Sequence, residues 1–514
     1  MEPIQTILPY RQCCTGTMSP ICLIIPPSSF LLDSRVFPFL GILRIAAVLE
    51  QAGIAIEVLD LSGIKNFTTV ISDYVHSRSN VNIFAITATT PQMPAVSEIV
   101  SVIHREQSVA KIILGGPHIT LVNSAYKNEI AQKIVGRATH AMARAKKDFD
   151  VLVAGDGEEA IFYAIKENSP KLIDADDKNS PLFLDNVRLN ALPFPARHLF
   201  DLSSYHYSIE EVPATSLIAQ LGCPFDCGFC GGRSSPMLRK IRTRSSENVV
   251  SEMVHIYETY GLRGFMFYDD ELNVNRKMVE LMNLITRTQR DMGVEWRLRG
   301  FIKSELFTRD QADAMYQAGF RWILTGFESG SPKILTNINK KATRDENTRC
   351  VMLAHEAGLK VKALMSIGHP GETRETSEET RQWLLSVKPD DFDLTIITCY
   401  PGTPYYDQAT PHTDKSGIWV YKFPKTGDHL YQLEVDYTTT ADYYKGIPDG
   451  GYKAYVYTDY LSSDELVALR DQIERSVRCD LNIPFNVGTP SILYEHSMGQ
   501  PGVLPSNMLR VSRI

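Results

Sequence analysis

Residues 216–230 read Ser216-Leu-Ile-Ala-Gln-Leu-Gly-Cys223-Pro-Phe-Asp-Cys227-Gly-Phe-Cys230. The run 216–220 has the apolar composition of a short buried strand, and a loop with three cysteines follows it directly. Glycines at 222, 228, 231 and 232 allow this loop to turn tightly. Because three and then two residues separate the cysteines, one loop can place three thiolates around a single metal centre.

The strand before this loop is the first of a regular series. Apolar strand-like runs alternate with helix-like runs throughout residues 214–404. The predicted strands are 216–220, 264–268, 295–298, 322–326, 360–367 and 393–399, and the predicted helices are 246–260, 276–292, 308–318, 345–357 and 376–387. Six such units predict a partial (β/α)6 TIM-type barrel, in which functional residues lie at the carboxyl ends of the strands.

A different α/β domain is predicted for residues 1–167. Short, fully apolar runs at 21–25, 55–61, 83–87, 111–114 and 151–154 are separated by helical patterns that include 39–51 and 96–105. Such runs indicate strands buried on both faces, as in a doubly wound, Rossmann-like parallel sheet. The charged, alanine-rich segment 124–147 is predicted to be one extra surface helix.

The remaining segments carry weaker patterns. Residues 168–213 are rich in Pro, Asp and Asn and are predicted to form a linker that packs loosely across two domains. Residues 405–514 are predicted to form a small α+β region of unknown role, with one clear helix at 463–478.

Composition narrows the class of protein. The chain has 514 residues and a net charge of −7, which disfavours broad nucleic-acid binding. No apolar run reaches the roughly 20 residues of a membrane span, and the N-terminus lacks the layout of a signal peptide. Nine cysteines, an odd number scattered over a long chain, do not form a disulfide framework. We therefore expect a cytoplasmic protein without a membrane span.

The cysteine loop favours an iron–sulfur cluster. A [4Fe–4S] cluster needs four ligands, so three thiolates leave one iron open to a small molecule. Structural clusters and structural zinc sites are normally closed by a fourth protein ligand. No Cys or His close to the loop supplies one, and the nearest upstream histidines, His198 and His206, precede the strand. A zinc knuckle completed by a distant ligand remains the alternative.

The pattern Cys-x3-Cys-x-aromatic-Cys after a first barrel strand resembles the signature of the radical S-adenosylmethionine (SAM) superfamily. The resemblance implies that Cys223, Cys227 and Cys230 hold a [4Fe–4S] cluster whose open iron chelates the amino and carboxyl groups of SAM. Reductive cleavage of SAM then releases a 5′-deoxyadenosyl radical. A reductase such as flavodoxin or ferredoxin would supply the electron.

The resemblance also implies where SAM is held. Asp269-Asp-Glu271 departs from the family's usual Gly-Gly-Glu but follows the second strand. The segments 326–331, 366–372 and 400–404 follow later strands, as in the family. The SAM-binding residues predicted in this way are Phe229, Glu271, Glu328, Ser329, Ser366 and Tyr400. Loop capping is an equal alternative for Glu328 and Ser329, and His369 is expected to be a surface hydrogen-bonding residue.

Turns of the first domain resemble the cobalamin-binding domain of one radical SAM subclass. They are 39–41, Asp60, 87–92, 115–118 and 155–158, each beside a predicted strand end. The implied cobalamin-binding residues are Thr89, Thr90, Gln92, Gly115, Gly116, Pro117, Gly155, Gly157 and Glu158. The Asp-x-His-x-x-Gly motif that supplies an axial histidine elsewhere is absent, and His118 is not expected to replace it. A domain that has lost its cofactor is the alternative.

Three functional hypotheses follow. The leading one is a cobalamin-dependent radical C-methyltransferase that acts on an unactivated carbon of a small molecule or natural-product intermediate. The second is a radical rearrangement or cyclisation with the same cofactors and no methyl transfer. The third is a non-catalytic iron–sulfur protein that binds a partner. Arg297 and Arg299 could clamp an acidic substrate or form salt bridges within the barrel, and Cys399 could contact substrate or pack as a small hydrophobe.

Overall fold

The N-terminal strands form a parallel sheet that is covered by helices on both faces. The structure, a computed structural model, describes residues 19–28, 35–443, 448–485 and 504–513. The strands of this part are β1 (Ile21–Ile25), β2 (Ile56–Asp60), β3 (Ile83–Thr87), β4 (Lys111–Gly115), β5 (Val151–Gly155) and β6 (Leu172–Ala175). The helices are α1 (Leu40–Gln51), α2 (Phe67–Ser77), α3 (Met93–Glu106), α4 (Pro117–Gln132), α5 (Arg137–Asp148), α6 (Gly157–Ala164) and α7 (Asn186–Ala191).

Strand order makes this sheet doubly wound, as predicted. The order is β2-β1-β3-β4-β5-β6 and all of these pairs are parallel. Every residue of β1 is buried, because helices cover both of its faces. The chain reverses direction across the sheet between β1 and β3, and a ligand crevice is expected outside the strand ends at such a point.

The second sheet is a curled half-barrel, which confirms the predicted barrel. Its strands and the short strands beside it are β7 (Ser208–Ile209), β8 (Val212–Leu217), β9 (Gln220–Leu221), β10 (Arg242–Thr243), β11 (Gly264–Phe267), β12 (Arg297–Phe301), β13 (Phe320–Glu328), β14 (Lys360–Ile367) and β15 (Asp391–Ile396). The helices are α8 (Pro236–Arg239), α9 (Ser246–Tyr260), α10 (Met278–Met292), α11 (Arg309–Gln317), α12 (Pro332–Asn337), α13 (Arg344–Glu356) and α14 (Arg374–Val387).

The half-barrel sheet has the order β15-β14-β13-β12-β11-β8-β7. Its six longer strands are parallel, and β7 adds an antiparallel hairpin. The first strand ends at Leu217, before the predicted residue 220. The reason is that the Ala219 and Gln220 amides bind the Asp269 carboxylate, so the chain leaves the sheet there.

A C-terminal helix covers the edge of the half-barrel. This region contains α15 (Pro404–Asp407), β16 (Thr410–Pro411), β17 (Ile418–Lys422), β18 (His429–Leu433), β19 (Val456–Thr458), α16 (Ser463–Leu481) and β20 (Leu509–Val511). From α16, Arg470 Nε donates to the Leu394 carbonyl at 2.8 Å, and Glu474 accepts from the Leu394 amide at 3.2 Å. Side chains of α16 thus bind the backbone of β15 and block further strand addition.

The last strand returns to the first sheet. β20 pairs antiparallel with β2 and is the seventh strand of the N-terminal sheet, which therefore extends beyond the predicted boundary at residue 167 at both β6 and β20. Arg35 fastens this return, since its Nη2 donates to the Asn507 carbonyl at 3.0 Å and its Nε to the Ser62 carbonyl at 2.9 Å. Within the described residues, none of the helices combines the length and the apolarity needed to cross a membrane.

The prediction of a loosely packed linker at 168–213 is wrong. Arg197 is 1% exposed, and its guanidinium pairs with Glu252 of α9 at 2.6 Å and donates to the Ser216 carbonyl of β8 at 2.8 Å. Arg244 also pairs with Glu252, which is 1% exposed. Burial opposes ionisation of Glu252, but the surrounding arginines outweigh it and lower its pKa to about 2. The segment is therefore docked by buried charge.

The single helix predicted at 124–147 is also wrong, because the chain breaks into α4 and α5. Lys133, at the end of α4, adopts a left-handed conformation with φ of 58°. The Glu129 carboxylate then accepts hydrogen bonds from the amides of Gly136, Ala138 and Thr139, which start α5. An acidic side chain that caps a helix from seven to ten residues upstream leaves no periodic signal in the sequence.

Replacing Arg197 by Met should lower the stability of the whole chain, because Glu252 would lose one of two buried cationic partners. We expect a loss of about 3–5 kcal/mol, the usual range for breaking a buried ion pair. Differential scanning calorimetry measures this as a lower melting temperature. Lys178→Ala, an exposed change in the same segment, is the control. An Arg197→Met variant with the melting temperature of the wild type would contradict the docking of this segment by buried charge.

Candidate cluster and cofactor site

The three-cysteine loop lies at the carboxyl end of β8 and is held by backbone groups of distant segments. The Cys223 amide donates to the Leu238 carbonyl at 2.9 Å, and the Gly228 amide donates to the Ile338 carbonyl at 2.8 Å. The Gly228 carbonyl accepts from the Tyr405 amide at 3.1 Å. A side chain at Gly228 would collide with the Tyr405 ring. These contacts hold the loop in place through protein groups alone.

Two of the carboxylates predicted near the second strand have a structural task. Asp269 Oδ1 accepts from the Ala219 amide at 3.0 Å and the Gln220 amide at 2.5 Å, and Asp270 Oδ2 accepts from the Gly222 amide at 3.0 Å. Burial raises the pKa of both Asp269 and Glu271 to about 7. Glu271 differs in that, among the described residues, no donor forms a hydrogen bond to its carboxylate. Of the Asp-Asp-Glu triplet, Glu271 is therefore the one left for a ligand.

The donor set fits an iron–sulfur cluster. Burial, followed by the nearby Glu271 and Asp270, raises the pKa of Cys223 to about 11, so its thiolate needs a cation beside it. In the described ranges, no three His, Cys, Asp or Glu side chains are arranged to hold one metal ion. In a cubane each thiolate binds a different iron, and three cysteines on one loop supply this donor set.

Two buried lysines beside the loop were not anticipated. Lys340 is 5% exposed and pairs with Glu328 Oε1 at 3.2 Å. Lys303 is 2% exposed, pairs with Glu305 at 2.8 Å, and places its ammonium 4.1 Å from the centre of the Phe225 ring. Positive charge therefore lies next to the thiols, where it favours their ionised form. Neither lysine belongs to a local sequence pattern that could have revealed it.

Glu328 occupies a strained position at the end of β13. Its φ is +65°, which an L-residue other than glycine seldom adopts, and the pairing with β14 shifts register there. A Cβ at Gly326 would lie 2.5 Å from Glu328 Oε1, so the glycine leaves room for this carboxylate. Strain of this kind is concentrated at functional sites.

A directed chain of hydrogen bonds runs from Tyr405 to Glu328. Ser366 Oγ donates to Glu328 Oε2 at 2.8 Å, which uses its one proton, so His369 Nε2 must donate to Ser366 Oγ at 2.8 Å. Burial and then Lys340 lower the pKa of His369 to about 3, which keeps the imidazole neutral. Its Nδ1 is therefore the acceptor for the Tyr405 hydroxyl at 3.4 Å.

The predicted SAM-binding residues divide into two groups. Phe229 lies edge-on to His369, with ring centroids 5.4 Å apart, close to Glu328 and Ser366. The Ser329 hydroxyl instead bonds Thr380 Oγ1 and the Ser331 amide within a buried turn. Tyr400 packs against two tyrosines of the C-terminal region. His369 is fully buried, so the expectation of a surface residue is wrong.

The two arginines considered as a substrate clamp do not lie at the carboxyl end of their strand, where the cysteine loop lies. Arg297 is the first residue of β12, away from the carboxyl end, and pairs with Glu210 at 3.8 Å and Glu295 at 3.5 Å. Arg299 lies in the middle of the strand with its guanidinium 5.5 Å from the Trp322 ring centre. Of the two alternatives predicted for these arginines, Arg297 therefore forms salt bridges.

A largely apolar cavity of about 220 Å³ lies at the carboxyl edge of the first sheet. Six of the predicted cobalamin-binding residues line it: Gly115, Gly116, Pro117, Gly155, Gly157 and Glu158. The half-barrel side contributes Ile218 and Leu238. The cavity is therefore bounded by both domains.

Each glycine that lines this cavity is required for a different structural reason. Gly116 has φ of +96°, and a Cβ there would lie 2.7 Å from Thr87 Oγ1. Gly155 has φ of +92°, and a Cβ would strike the Ala175 backbone. At Gly115 a Cβ would come no closer than 3.9 Å to Val153, so this position is open to the cavity. Glu158 pairs with Arg44 at 4.0 Å.

Thr89, Thr90 and Gln92 are not among the residues that line this cavity. Thr89 and Gln92 form a capping box, and Gln92 Nε2 donates to the Pro26 carbonyl at 2.8 Å. Thr90 Oγ1 bonds His118 Nδ1 at 3.1 Å. Burial lowers the pKa of His118 to about 4. These side chains brace the ends of β1, β3 and β4.

A second cavity of about 430 Å³ lies between α3, α4, α5 and the C-terminal region. His118 and Cys399 are part of its wall, together with Tyr406 and Tyr437. The Tyr437 hydroxyl donates to the Cys399 carbonyl at 2.8 Å, which ties residues after β18 to the end of the half-barrel. Arg137 stacks between the rings of Tyr406 and Trp419 at 3.8 and 4.2 Å.

Comparisons with known proteins agree with the division of the chain into an N-terminal α/β domain and a half-barrel. Residues 217–384 match the model of the radical SAM superfamily, and residues 35–146 match that of the B12 binding domain. An uncharacterized methyltransferase of Pyrococcus horikoshii is 26% identical over 394 residues, which are 76% of this chain and 83% of that protein. The anaerobic magnesium-protoporphyrin IX monomethyl ester cyclase of Cereibacter sphaeroides is 24% identical over 381 residues, 70% of this chain and 59% of that protein.

One solved structure resembles nearly the whole chain. It is the radical S-adenosylmethionine methyltransferase TsrM from Kitasatospora setae, with cobalamin and a [4Fe-4S] cluster bound. The TM-score is 0.60 at 17% identity, and the match covers 93% of each chain. At this identity the similarity shows the fold.

His369 should stay uncharged between pH 5 and pH 8, with its proton on Nε2. The reason is its low pKa, caused by burial and by Lys340, together with the fixed direction of the hydrogen-bond chain. Nitrogen-15 NMR of histidine-labelled protein measures both the tautomer and the titration, and His369→Gln assigns the signal. A resonance that titrates near the ordinary histidine pKa of about 6.5 would contradict the network.

Proposed function

We propose that the chain is a cobalamin-dependent radical C-methyltransferase acting on a small molecule, because residues 217–384 match the radical SAM superfamily and residues 35–146 match the B12 binding domain. One contact supports this proposal above the others. A Cβ at Gly231 in the cysteine loop would lie 3.2 Å from Leu121 Cδ2 of α4, the helix that follows Gly116. The loop for the cluster and the turn for cobalamin therefore lie side by side.

Cys223, Cys227 and Cys230 would hold a [4Fe–4S] cluster, which supplies one electron to SAM. Glu271 and the Lys340–Glu328 pair would then face the charged ammonium and carboxylate of SAM, because both carry buried charge beside the loop. Phe229 would pack against the adenine. His369 keeps Ser366 and Tyr405 in one hydrogen-bonded arrangement, so the pocket is ordered before the ligand enters.

Cobalamin, which would carry the methyl group, is assigned to the crevice at the carboxyl ends of β3, β4 and β5. The 220 Å³ cavity is too small for a corrin but suits a flat, largely apolar part of the cofactor. Gly115 leaves the backbone open to it, since a Cβ there would meet no close neighbour, while Gly116 and Gly155 allow the turns beside it. The 430 Å³ cavity beside His118 and Cys399 is the assigned route or site for the substrate.

A second candidate function is cyclisation or rearrangement by the same cofactors without methyl transfer. The similarity over 381 residues to a protein named as a cyclase supports it. The residues assigned to cofactors serve both reactions equally, so substrate chemistry must decide. A non-catalytic role has no comparable support. The cytoplasm, where thiols stay reduced, is the compartment we assign.

Anaerobic, reduced protein should convert SAM to 5′-deoxyadenosine, and Cys227→Ala should abolish this because the cluster loses a ligand. Iron and sulfide content should fall with the activity. Cys350→Ala, a buried cysteine of α13, is the matched control and should retain both. Retention of a SAM-cleaving cluster in Cys227→Ala would contradict the assignment.

Gly115→Leu should lose bound cobalamin, because its side chain would fill the cavity from an open position. Gly115→Ala should keep it, since a Cβ there meets no close neighbour. The absorption spectrum of purified protein measures cobalamin content. With substrate, methyl transfer predicts S-adenosylhomocysteine as well as 5′-deoxyadenosine, and only the former should fall in Gly115→Leu. If wild-type protein forms 5′-deoxyadenosine alone, cyclisation or rearrangement is the correct function.

A further inference from the structure

Arg137 is a partly buried cation on the wall of the 430 Å³ cavity. Much of the inner wall around it is apolar and buried, formed by Met93, Val100, Val122, Phe149 and Tyr406. The outer rim is exposed and carries charges of both signs, on Arg144, Lys147, Asp148, Glu434 and Asp436. Arg137 is therefore the charge that a ligand meets once it has passed the rim.

The guanidinium of Arg137 is held in place without being neutralised. It lies 3.8 Å from the centre of the Tyr406 ring and 4.2 Å from that of Trp419. Its Nη1 donates to Gln432 Oε1 at 3.3 Å, and its Nη2 donates to the Tyr406 carbonyl at 3.0 Å. Throughout the described part of the chain, no carboxylate lies within ion-pair distance of it and no acceptor bonds its Nε–H. Aromatic rings orient a guanidinium but leave its charge in place.

The carboxylates around Tyr406 are committed elsewhere or lie at the surface. Glu129 accepts from three backbone amides at the start of α5. Asp407 accepts from an asparagine side chain and a backbone amide. Glu434 is exposed at the rim of the cavity. An anion that enters the cavity would therefore supply the counter-charge that Arg137 lacks.

Three hydrogen bonds in series connect Arg137 to the cysteine loop. Gln432, which accepts from Arg137, is 1% exposed and donates from Nε2 to the Tyr405 carbonyl at 2.5 Å. The Tyr405 amide in turn donates to the Gly228 carbonyl of the loop at 3.1 Å. A group bound by Arg137 is thus held at a defined position relative to the loop.

The inner end of the cavity lies where the two sheets meet. His118 follows β4 of the first sheet, and Cys399 follows β15 of the half-barrel. Both side chains are buried and both line the cavity. A ligand anchored at Arg137 can therefore extend an apolar body along the buried wall toward the carboxyl ends of both sheets, where the two cofactors are assigned.

We propose that Arg137 anchors a carboxylate of the substrate, so that the substrate is a largely apolar small molecule with one carboxylate group. The inference rests on the proposed function, which assigns this cavity to the substrate. A guanidinium donates to a carboxylate in a planar, charge-assisted arrangement. A carboxylate also matches a single cation in charge, whereas a phosphate dianion would keep one uncompensated charge beside an apolar wall. Anchoring one end of the substrate places the carbon that reacts.

The test compares three ligands that share one apolar body: 2-naphthoate, the neutral 2-naphthamide and 2-naphthyl phosphate. Isothermal titration calorimetry measures the Kd of each for the reconstituted full-length protein. 2-Naphthoate should bind most tightly. Arg137→Met should raise its Kd at least about tenfold, since a charge-assisted hydrogen bond is lost, and should leave the Kd of 2-naphthamide unchanged. Arg137→Lys should give an intermediate Kd, because it keeps the charge but loses the planar fork.

Lys146→Met is the matched control, because it removes a cation from the same helix without touching the cavity. The Lys146 ammonium lies 5.1 Å from the centre of the Tyr126 ring. This variant should bind 2-naphthoate as the wild type does.

Two results would overturn the anchoring role of Arg137. One is wild-type protein that binds 2-naphthoate no more tightly than 2-naphthamide. The other is an Arg137→Met variant that loses affinity for both ligands equally, which would indicate a structural role alone. Tighter binding of 2-naphthyl phosphate would overturn the assignment of a carboxylate. Formation of 5′-deoxyadenosine by the wild type is measured separately, and its absence would overturn the proposed function without altering these binding results.

Discussion

The balance of buried charge around the three thiols is the constraint on which the site depends. Cys223 and its neighbours lie where burial disfavours thiolates, yet a cluster requires them ionised. Two lysines that are almost fully buried stand beside the loop, each neutralised by a glutamate. Charge is thus brought into the barrel in pairs, which is the form in which a protein interior tolerates it. Any ligand that binds the loop enters a field already set by these four side chains.

The same principle joins the domains. Arg197 and Arg244 meet at Glu252, and Arg242 pairs with Asp156 at the edge of the 220 Å³ cavity. These ion pairs connect the first sheet, the segment after it and the half-barrel. Because a buried charge that loses its partner is strongly destabilising, these pairs favour one relative position of the two sheets. A reaction shared between two cofactors needs that rigidity, since small displacements slow it greatly.

The sequence predicted those features whose cause is local. Fully apolar runs predicted buried parallel strands, cysteine spacing predicted the loop, and glycines after strands predicted the turns that line the 220 Å³ cavity. What it missed depends on distant partners. Lys340 has no motif, Arg197 lay in a segment without periodicity, and Glu129 caps a helix that begins several residues later. Thr89 and Gln92 occupied the predicted turn, but their side chains cap the backbone there.

The return of β20 to the first sheet has a consequence for biosynthesis. Strand β2 is made early, whereas its antiparallel partner at 509–511 leaves the ribosome hundreds of residues later. At roughly 5–20 residues per second, the edge of β2 waits on the order of a minute for its neighbour. During that interval its free amide and carbonyl groups can pair with another nascent chain. A chaperone that shields this edge until β20 has been made would therefore prevent such pairing.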